Sequence, residues 1–407
     1  MKTGAGILRI SFKQTGWNVA LSCAMIGASL LVAGTPTHAG PQYGAWGFDL
    51  TAMDTRVKPG DDFNRYASGA WLARTTIPTD KALFTLRMMM NDAIDARLHE
   101  LMETAAATAQ SGTLEGKVGA FYKAFMDESR VQALGRTAIA AELEAINGAA
   151  DRTALAKLMG KNTSDFYGSI YGIGEDADLK NIDRYAIYLV QAGLGLPDRD
   201  YYLKPSFAAQ KTAYQAYVAN LLSLLGWRDS QASAAAVVSF ETRIAEVSWT
   251  KVEQRDLDKT YNSKSRAELK ALAPTFPWDA YLNGAGLSAV NRVIVAEESA
   301  FPKIAQVYES TPLPVLKAWQ AFTVADNAAF YLSEPFASAR FQFRNHTLLG
   351  QPVEAARWRR AIRAVGGADC TGGHSPPWCR RTSSTAPLDR TRSGSTMPVP
   401  AARSSRT

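Results

Sequence analysis

Four histidines, His38, His99, His346 and His374, are where metal chemistry would have to start in this sequence. A zinc hydrolase site carried on one helix needs H-E-x-x-H, because imidazoles four residues apart share a face and the glutamate between them activates the water. None of the four histidines opens that pattern. The nearest approach is His99-Glu100-Leu101-Met102-Glu103, with His99 and Glu103 four apart on an expected helix. Two ligands with no third partner do not make a site, and a solvated helix face is the expected role. Cys370, His374 and Cys379 have the spacing C-x3-H-x4-C, again only three ligands, in a segment with no core of its own. Other chemistries lack their parts as well. The sequence contains no G-x-x-x-x-G-K-[ST] phosphate loop, no G-x-S-x-G elbow, and no thiol between Cys23 and Cys370.

The elements that would have to position a site read as mainly helical. Residues 41–80 are expected to be extended or turn-rich, punctuated by Pro41, Gly44, Gly47, Pro59, Gly60 and Pro78. From Met88 the spacing turns helical: Ile94, Leu98, Leu101 and Met102 fall on one face, followed by an Ala-rich stretch to Ala109. Further helices are expected at 115–128, 137–147 and 152–160, then a break over Gly168–Asp178 and a short strand at Tyr185–Val190. Helices resume at 207–226, 230–254, 265–272 and 314–335; along the second of these run Ala234, Val237, Val238, Glu241 and Ile244. No repeat of 20–50 residues is visible.

The 407 residues carry a formal charge of +7, but it sits at the two ends. Lys2, Arg9 and Lys13 stand without acids in residues 1–39, and six arginines outnumber Asp369 and Asp389 in 368–407, which together account for the whole excess. The body is neutral and shows no footprint for nucleic acid. Residues 1–39 read as a signal peptide: a basic start, an apolar run from Trp17 to Ala33, and Thr37-His38-Ala39 for cleavage. The predicted location is therefore outside the cytoplasm, in the periplasm or extracellular, with no stable membrane span after cleavage. An uncleaved anchor is the alternative. With no cysteine in the body, burial rather than disulfides must hold it together. After Gly367 the composition becomes rich in Ser, Thr, Pro and Arg with almost no aliphatics, as expected for an out-of-frame or natively disordered tail at 368–407.

Several stretches are distinctive enough to compare. Val57-Lys58-Pro59-Gly60-Asp61-Asp62-Phe63 is followed by Tyr66, Gly69, Trp71-Leu72 and Ile77-Pro78. Phe121-Tyr122 leads to Phe125-Met126-Asp127, and then comes Gly193-Leu194-Gly195-Leu196-Pro197-Asp198-Arg199-Asp200-Tyr201-Tyr202. Trp249, Arg255-Asp256, Lys259-Thr260-Tyr261-Asn262, Phe341, Gly350-Gln351-Pro352 and Arg357-Trp358-Arg359-Arg360 follow in order. Physically, Asp61-Asp62 after Pro59-Gly60 is a turn and a helix start whose carboxylates suit free amides. Tyr66 and Trp71 are expected to anchor that segment by burial. Pro197 sets a turn in which Arg199 would bridge the flanking carboxylates.

In this order the stretches resemble the neprilysin and endothelin-converting-enzyme family of zinc metallopeptidases, over about residues 46–365. The resemblance implies a mainly α-helical chain with minor β, contributing a helical lobe and the beginning of a thermolysin-like catalytic lobe, incomplete here. It implies oligopeptide substrates and one zinc ion in full-length relatives. Zinc helix and substrate-gripping N-A-Y-Y stretch are both missing from this sequence, so the chain is expected to hold no cofactor and to be inactive alone. Leu83-Phe84-Thr85 stands where relatives often carry Tyr-Gly, a local departure in the cavity wall. Residues 40–367 would form the amino-terminal peptidase domain, with Asp61, Asp62, Phe63, Tyr66, Gly69, Trp71, Pro197, Arg199, Asp200, Tyr201, Tyr202 and Trp358 as structural signature residues. A truncated or frameshifted peptidase is one reading; a peptide-binding pseudo-peptidase or a helical envelope scaffold are the others.

Overall fold

The structure, a computed structural model, describes residues 49–164 and 168–366. The expected signal peptide and the Arg-rich tail with its C-x3-H-x4-C spacing lie outside the described residues. The chain divides into two compact units between Thr76 and Ile77.

In the first unit the expected turn-rich opening contains a full helix, α1 (Phe63–Arg74). Its start is written in the sequence. The Asp61 amide closes a turn onto the Lys58 carbonyl at 3.0 Å, and the Asp62 carboxylate accepts the Arg65 amide at 2.9 Å as the N-cap. Gly69 lets α1 lie against the preceding segment, since a Cβ there would come within 2.9 Å of the Asp54 Cβ. Tyr66 and Trp71 are half-buried rather than buried, because α1 meets too few of the described residues to cover any of its side chains fully, and Phe63 is 69% exposed.

The second unit opens with a helical run: α2 (Leu86–Thr108), α3 (Leu114–Met126), α4 (Glu128–Leu134), α5 (Ala140–Gly148) and α6 (Arg152–Ser164). Thr85, Thr113 and Asp127 cap the first three of these through side-chain oxygens. A hairpin follows, β1 (Tyr171–Asp178) and β2 (Asn181–Gln191), and then α7 (Asp200–Leu203), α8 (Ala208–Leu224) and α9 (Ser230–Val247). The next stretch alternates: β3 (Asn262–Ser265), α10 (Arg266–Leu272), α11 (Trp278–Gly284) and β4 (Arg292–Val295). Closing the unit are α12 (Phe301–Ser310), α13 (Leu313–Ala328), α14 (Glu334–Arg340), a π-helix (Phe341–Thr347) and α15 (Arg357–Gly366). The protein is thus mainly α-helical with minor β.

Two expectations are corrected here. The break at Gly168–Asp178 is largely β1, paired antiparallel with β2 from Tyr171↔Gln191 onward. Its glycines, which suggested a loop, serve the pairing: a Cβ on Gly172 would meet Val190 Cγ2 at 2.7 Å. The helix expected over 230–254 ends at Val247, where Ser248 turns to extended backbone. The sheet runs β1-β2-β4-β3, with β2 and β4 parallel and the outer pairs antiparallel. Asp178 fastens the hairpin to the far strands, accepting from Tyr261 (2.5 Å), Arg292 (2.6 Å) and Arg184 (2.9 Å). The Tyr261 hydroxyl and the two guanidiniums hold its carboxyl far below the usual range despite its burial.

Apolar faces of α5, α6, α8, α9, α11, α12 and α13 meet in one core, in which Trp278, Trp319, Tyr171, Tyr214 and Tyr281 are fully buried. Helices α6 and α11 approach unusually closely: a Cβ on Gly160 would lie 1.9 Å from the Tyr281 carbonyl oxygen, and one on Gly284 2.0 Å from that of Lys157. A smaller cluster joins Met102, Tyr122, Phe125, Ala361 and Ile362, from α2, α3 and α15. No described helix is long and apolar enough to cross a membrane.

Candidate functional site

A cavity of about 1210 Å³ opens among β1, β2, the 193–200 loop, the segment after α9, α13, and the arginines of α14 and the π-helix. The loop is the distinctive Gly-Leu-Gly-Leu-Pro-Asp-Arg-Asp run, and its path is fixed from below. Gly193 takes φ +92, which L side chains avoid. At Gly195 a Cβ would fall 1.8 Å from the Tyr214 hydroxyl, so only glycine lets the backbone settle onto the polar groups beneath.

Those groups form one network. The Tyr202 hydroxyl accepts the Gly195 and Leu196 amides at 3.0 and 2.9 Å and donates to Glu241 Oε2 at 2.7 Å. Tyr214 and the Trp319 indole donate to Glu241 Oε1 at 3.1 and 2.9 Å. Burial pushes the Glu241 carboxyl up to about 7, against the pull of Tyr202, Tyr214, Trp319 and the Arg344 charge. From the π-helix, Arg344 donates to the Gly195 carbonyl and forks onto Asp326, which also accepts the Tyr217 hydroxyl at 2.5 Å. Burial alone would raise Asp326, but Arg344 beside it holds the carboxyl below its ordinary value.

A buried carboxyl titrating near neutrality invites a general-base reading. The geometry argues against it. Glu241 is 1% exposed, and both of its oxygens accept hydrogen bonds, from Tyr202, Tyr214 and the Trp319 indole. Glu241 lies at the floor of the cavity and positions the loop through Tyr202.

The outer part of the loop is tied to α9. Arg199 does not bridge carboxylates as expected: its Nε and Nη2 donate to the carbonyls of Ala245 (3.0 Å) and Glu246 (3.4 Å). The last turn of α9 offers open carbonyls that a guanidinium satisfies better than a solvated carboxylate competes for it. Asp198 pairs instead with Lys251 at 2.7 Å, and Asp200, the first residue of α7, with Lys204 at 2.6 Å. Pro197 lines the cavity, and Tyr201 stacks on Phe207 with ring centres 4.1 Å apart. Gln191 holds the facing wall by exchanging two hydrogen bonds with the Trp249 backbone, at 3.0 and 2.7 Å.

Of the residues singled out by sequence, Pro197, Arg199 and Asp200 line this cavity, Tyr202 lies beneath it, and Tyr201 packs beside it. Asp61, Asp62, Phe63, Tyr66, Gly69 and Trp71 belong to the first unit. Trp358 lies elsewhere in the second, in the cluster with α2 and α3. There it corrects the reading of His99 as a solvated side chain. The imidazole stacks on Trp358, centres 4.3 Å apart, and bonds the Tyr122 hydroxyl at 3.0 Å, so an aromatic slot and not water surrounds most of it. Tyr214, Tyr217, Trp319, Asp326 and Arg344 were not foreseen. Glu241 had left a trace, a carboxylate inside the apolar run Val237, Val238, Ile244.

A zinc ion does not fit the donors of the described residues. Among the described residues no three His, Cys, Asp or Glu side chains converge to hold a metal, and the nearest sequence pattern, His99 with Glu103 at 3.3 Å, is half committed to Tyr122 and Trp358.

The family model described as Peptidase family M13 matches residues 59–369. Endothelin-converting enzyme 1 of Homo sapiens is 27% identical over 331 residues, covering 77% of this chain and 42% of its own length. Endothelin-converting enzyme-like 1 of Rattus norvegicus is 26% identical over 305 residues, covering 70% and 39%. The crystal structure of Mycobacterium tuberculosis zinc metalloprotease Zmp1 with an inhibitor superposes with a TM-score of 0.75 at 29% identity, covering 79% of this chain and 50% of that one. The chain therefore spans about two fifths of the length of the curated relatives it matches and half of Zmp1. Profile and fold agree over most of the described chain, which belongs to Peptidase family M13.

Proposed function

We propose that this chain is the amino-terminal domain of an exported zinc metalloendopeptidase acting on oligopeptides, and that it walls the substrate cavity without itself cutting peptide bonds. The observation that carries the reading is the cavity of about 1210 Å³, set in a chain of Peptidase family M13. Ordinary small-molecule pockets span roughly 300–1,000 Å³, so this volume suits a peptide of several residues better than a metabolite. Its wall is a loop pinned by buried hydrogen bonds, which gives a rigid surface at little entropic cost to a ligand. The helices would supply most of the helical lobe, with the beginning of a thermolysin-like lobe.

The non-catalytic part rests on the sequence: H-E-x-x-H is missing from all 407 residues. In full-length relatives the zinc would polarise the scissile carbonyl and activate water; this chain's part would be to bind and orient the peptide. Export, to the periplasm or beyond the cell, rests on the leader pattern of residues 1–39.

The test uses the purified chain, zinc and a labelled oligopeptide of about ten residues, a length chosen to exceed ordinary small-molecule pockets. Fluorescence anisotropy should show saturable binding, weakened by Asn327→Trp, which intrudes on the cavity from α13, and an internally quenched peptide should stay uncut. Cleavage by the chain alone overturns the non-catalytic role; absence of binding overturns the cavity role. A pseudo-peptidase would bind in the same way. It is separated by joining the chain to the downstream catalytic part of a family member, which should create zinc-dependent cleavage only under the first reading.

A further inference from the structure

Where α14, the π-helix and α15 meet there is a second, much smaller cavity, of about 70 Å³. Three arginines line it, Arg340, Arg360 and Arg363, with Glu354 as the one carboxylate. Glu354 is already paired with Arg360 at 2.7 Å. Among the described residues neither Arg340 nor Arg363 makes a hydrogen bond or ion pair; the contact Arg340 does make is with the face of Phe330, 5.7 Å from its guanidinium carbon. Nearby Asp326 is committed to Arg344. The Nε atoms of Arg340 and Arg360 are buried with no acceptor.

A guanidinium cannot shed its proton to escape this situation. Buried donors left without a partner are rare in native structures, and where they occur an unseen water or ion commonly supplies the acceptor. Here several donors converge on one space; the Arg340 charge is felt by Asp326 and Glu354, but neither carboxylate is hydrogen-bonded to it, and Arg363 has no described carboxylate partner. Phe330, Phe341 and Ala355 supply the apolar part of the cavity wall. One water needs roughly 10–15 Å³ of such space, so the cavity holds a few waters or one small anion and nothing drug-sized.

We propose that this cavity binds a small oxyanion, phosphate or carboxylate, between Arg340, Arg360 and Arg363. Planar guanidinium forks match the paired oxygens of both groups, whereas a spherical halide would engage them less well. The oxyanion could be free inorganic phosphate or the carboxylate of a peptide terminus. Arg340 also lines the large cavity, so Arg363, which lines only the small one, is the position that separates this site from the peptide cavity.

Isothermal titration of the whole chain at constant ionic strength tests it, using inorganic phosphate, a short peptide with a free carboxyl terminus, and the same peptide amidated. The expected result is saturable one-to-one binding of phosphate, or of the free-carboxyl peptide with loss on amidation. Phosphate alone binding assigns a free anion, and carboxylate alone assigns a chain terminus. Arg363→Gln and Arg340→Gln should each weaken binding by about tenfold or more, with Arg363→Lys between wild type and Gln. Arg363 has no described partner to lose, so its variants should fold even if Arg340→Gln does not, and thermal melts check this. The inference is overturned if neither probe binds saturably, or if folded Arg363→Gln binds as wild type does.

Discussion

At the scale of single residues, Glu241 sets the terms. Its carboxyl is pushed from 4.5 up to about 7 by burial, so between those values the folded chain holds a proton that the unfolded chain has released. Stability from this group is therefore fully present below about pH 4.5 and is lost as pH rises through 7. We expect stability in denaturant melts to fall between pH 5 and 7.5, and Glu241→Gln to flatten that slope by on the order of 1–3 kcal/mol. The slope is the readout, because a glutamine amide facing the Trp319 indole N–H also shifts the whole curve. Parallel curves for the two proteins would refute the assignment. Part of this site could be read in advance. The Pro197 turn announces itself, and a glutamate among Val237, Val238 and Ile244 breaks the apolar pattern of a helix face. What no local pattern carries is the set of donors, since Tyr202, Tyr214 and Trp319 reach Glu241 from three other stretches of chain.

At the scale of elements, the contact between α6 and α11 rests on two glycines that each admit the other helix's backbone. Adding a methyl at Gly160 would place it 1.9 Å from a carbonyl oxygen that belongs to the α11 backbone and cannot rotate aside. Gly160→Ala should lower stability by about 1–3 kcal/mol, the range for overpacking. Gly148→Ala, which has open space around it, should stay within roughly 0.5 kcal/mol or stabilise; chemical denaturation of the pair decides this. The long helices were legible because their apolar residues recur at helical spacing over many turns, as along α2, α8 and α13. The strands were not. Glycines in β1 imitate a loop, β3 is four polar or charged residues, Asn262–Ser265, and β4 is too short to show alternation. The end of α9 was also hidden, because the group that takes its last carbonyls, Arg199, lies 46 residues away from Ala245 in the chain.

At the scale of the molecule, apolar surface is unevenly distributed. Leu86, Met90, Ile94 and Leu101 fall on one face of α2 at spacings of four and seven, and are 44%, 61%, 49% and 64% exposed. The adjoining part of the apolar face packs through Leu98, Met102 and Ala106, so only one side of the face expected from the sequence is covered. A contiguous apolar strip of this kind promotes self-association. Light scattering should show concentration-dependent association of the purified chain, reduced in Ile94→Glu/Leu101→Glu while the unfolding midpoint stays nearly unchanged, as for surface substitutions generally. Equal scattering from both proteins would place the adhesive surface elsewhere.

The π-helix at Phe341–Thr347 has a consequence for how this chain tolerates length changes. A wide turn of this kind accommodates one residue more than an α-helix would over the same rise. Removing one residue ahead of Arg344 would let the segment relax to α-helical winding, and each residue of that winding turns the side chains by about 100°. Arg344 would swing away from Asp326 and the Gly195 carbonyl, loosening the loop from beneath, though no contacting residue had been substituted. Among natural homologues, single-residue gaps should therefore be scarce in this short stretch and freer in the turns on either side, a pattern of indels rather than of residue identity.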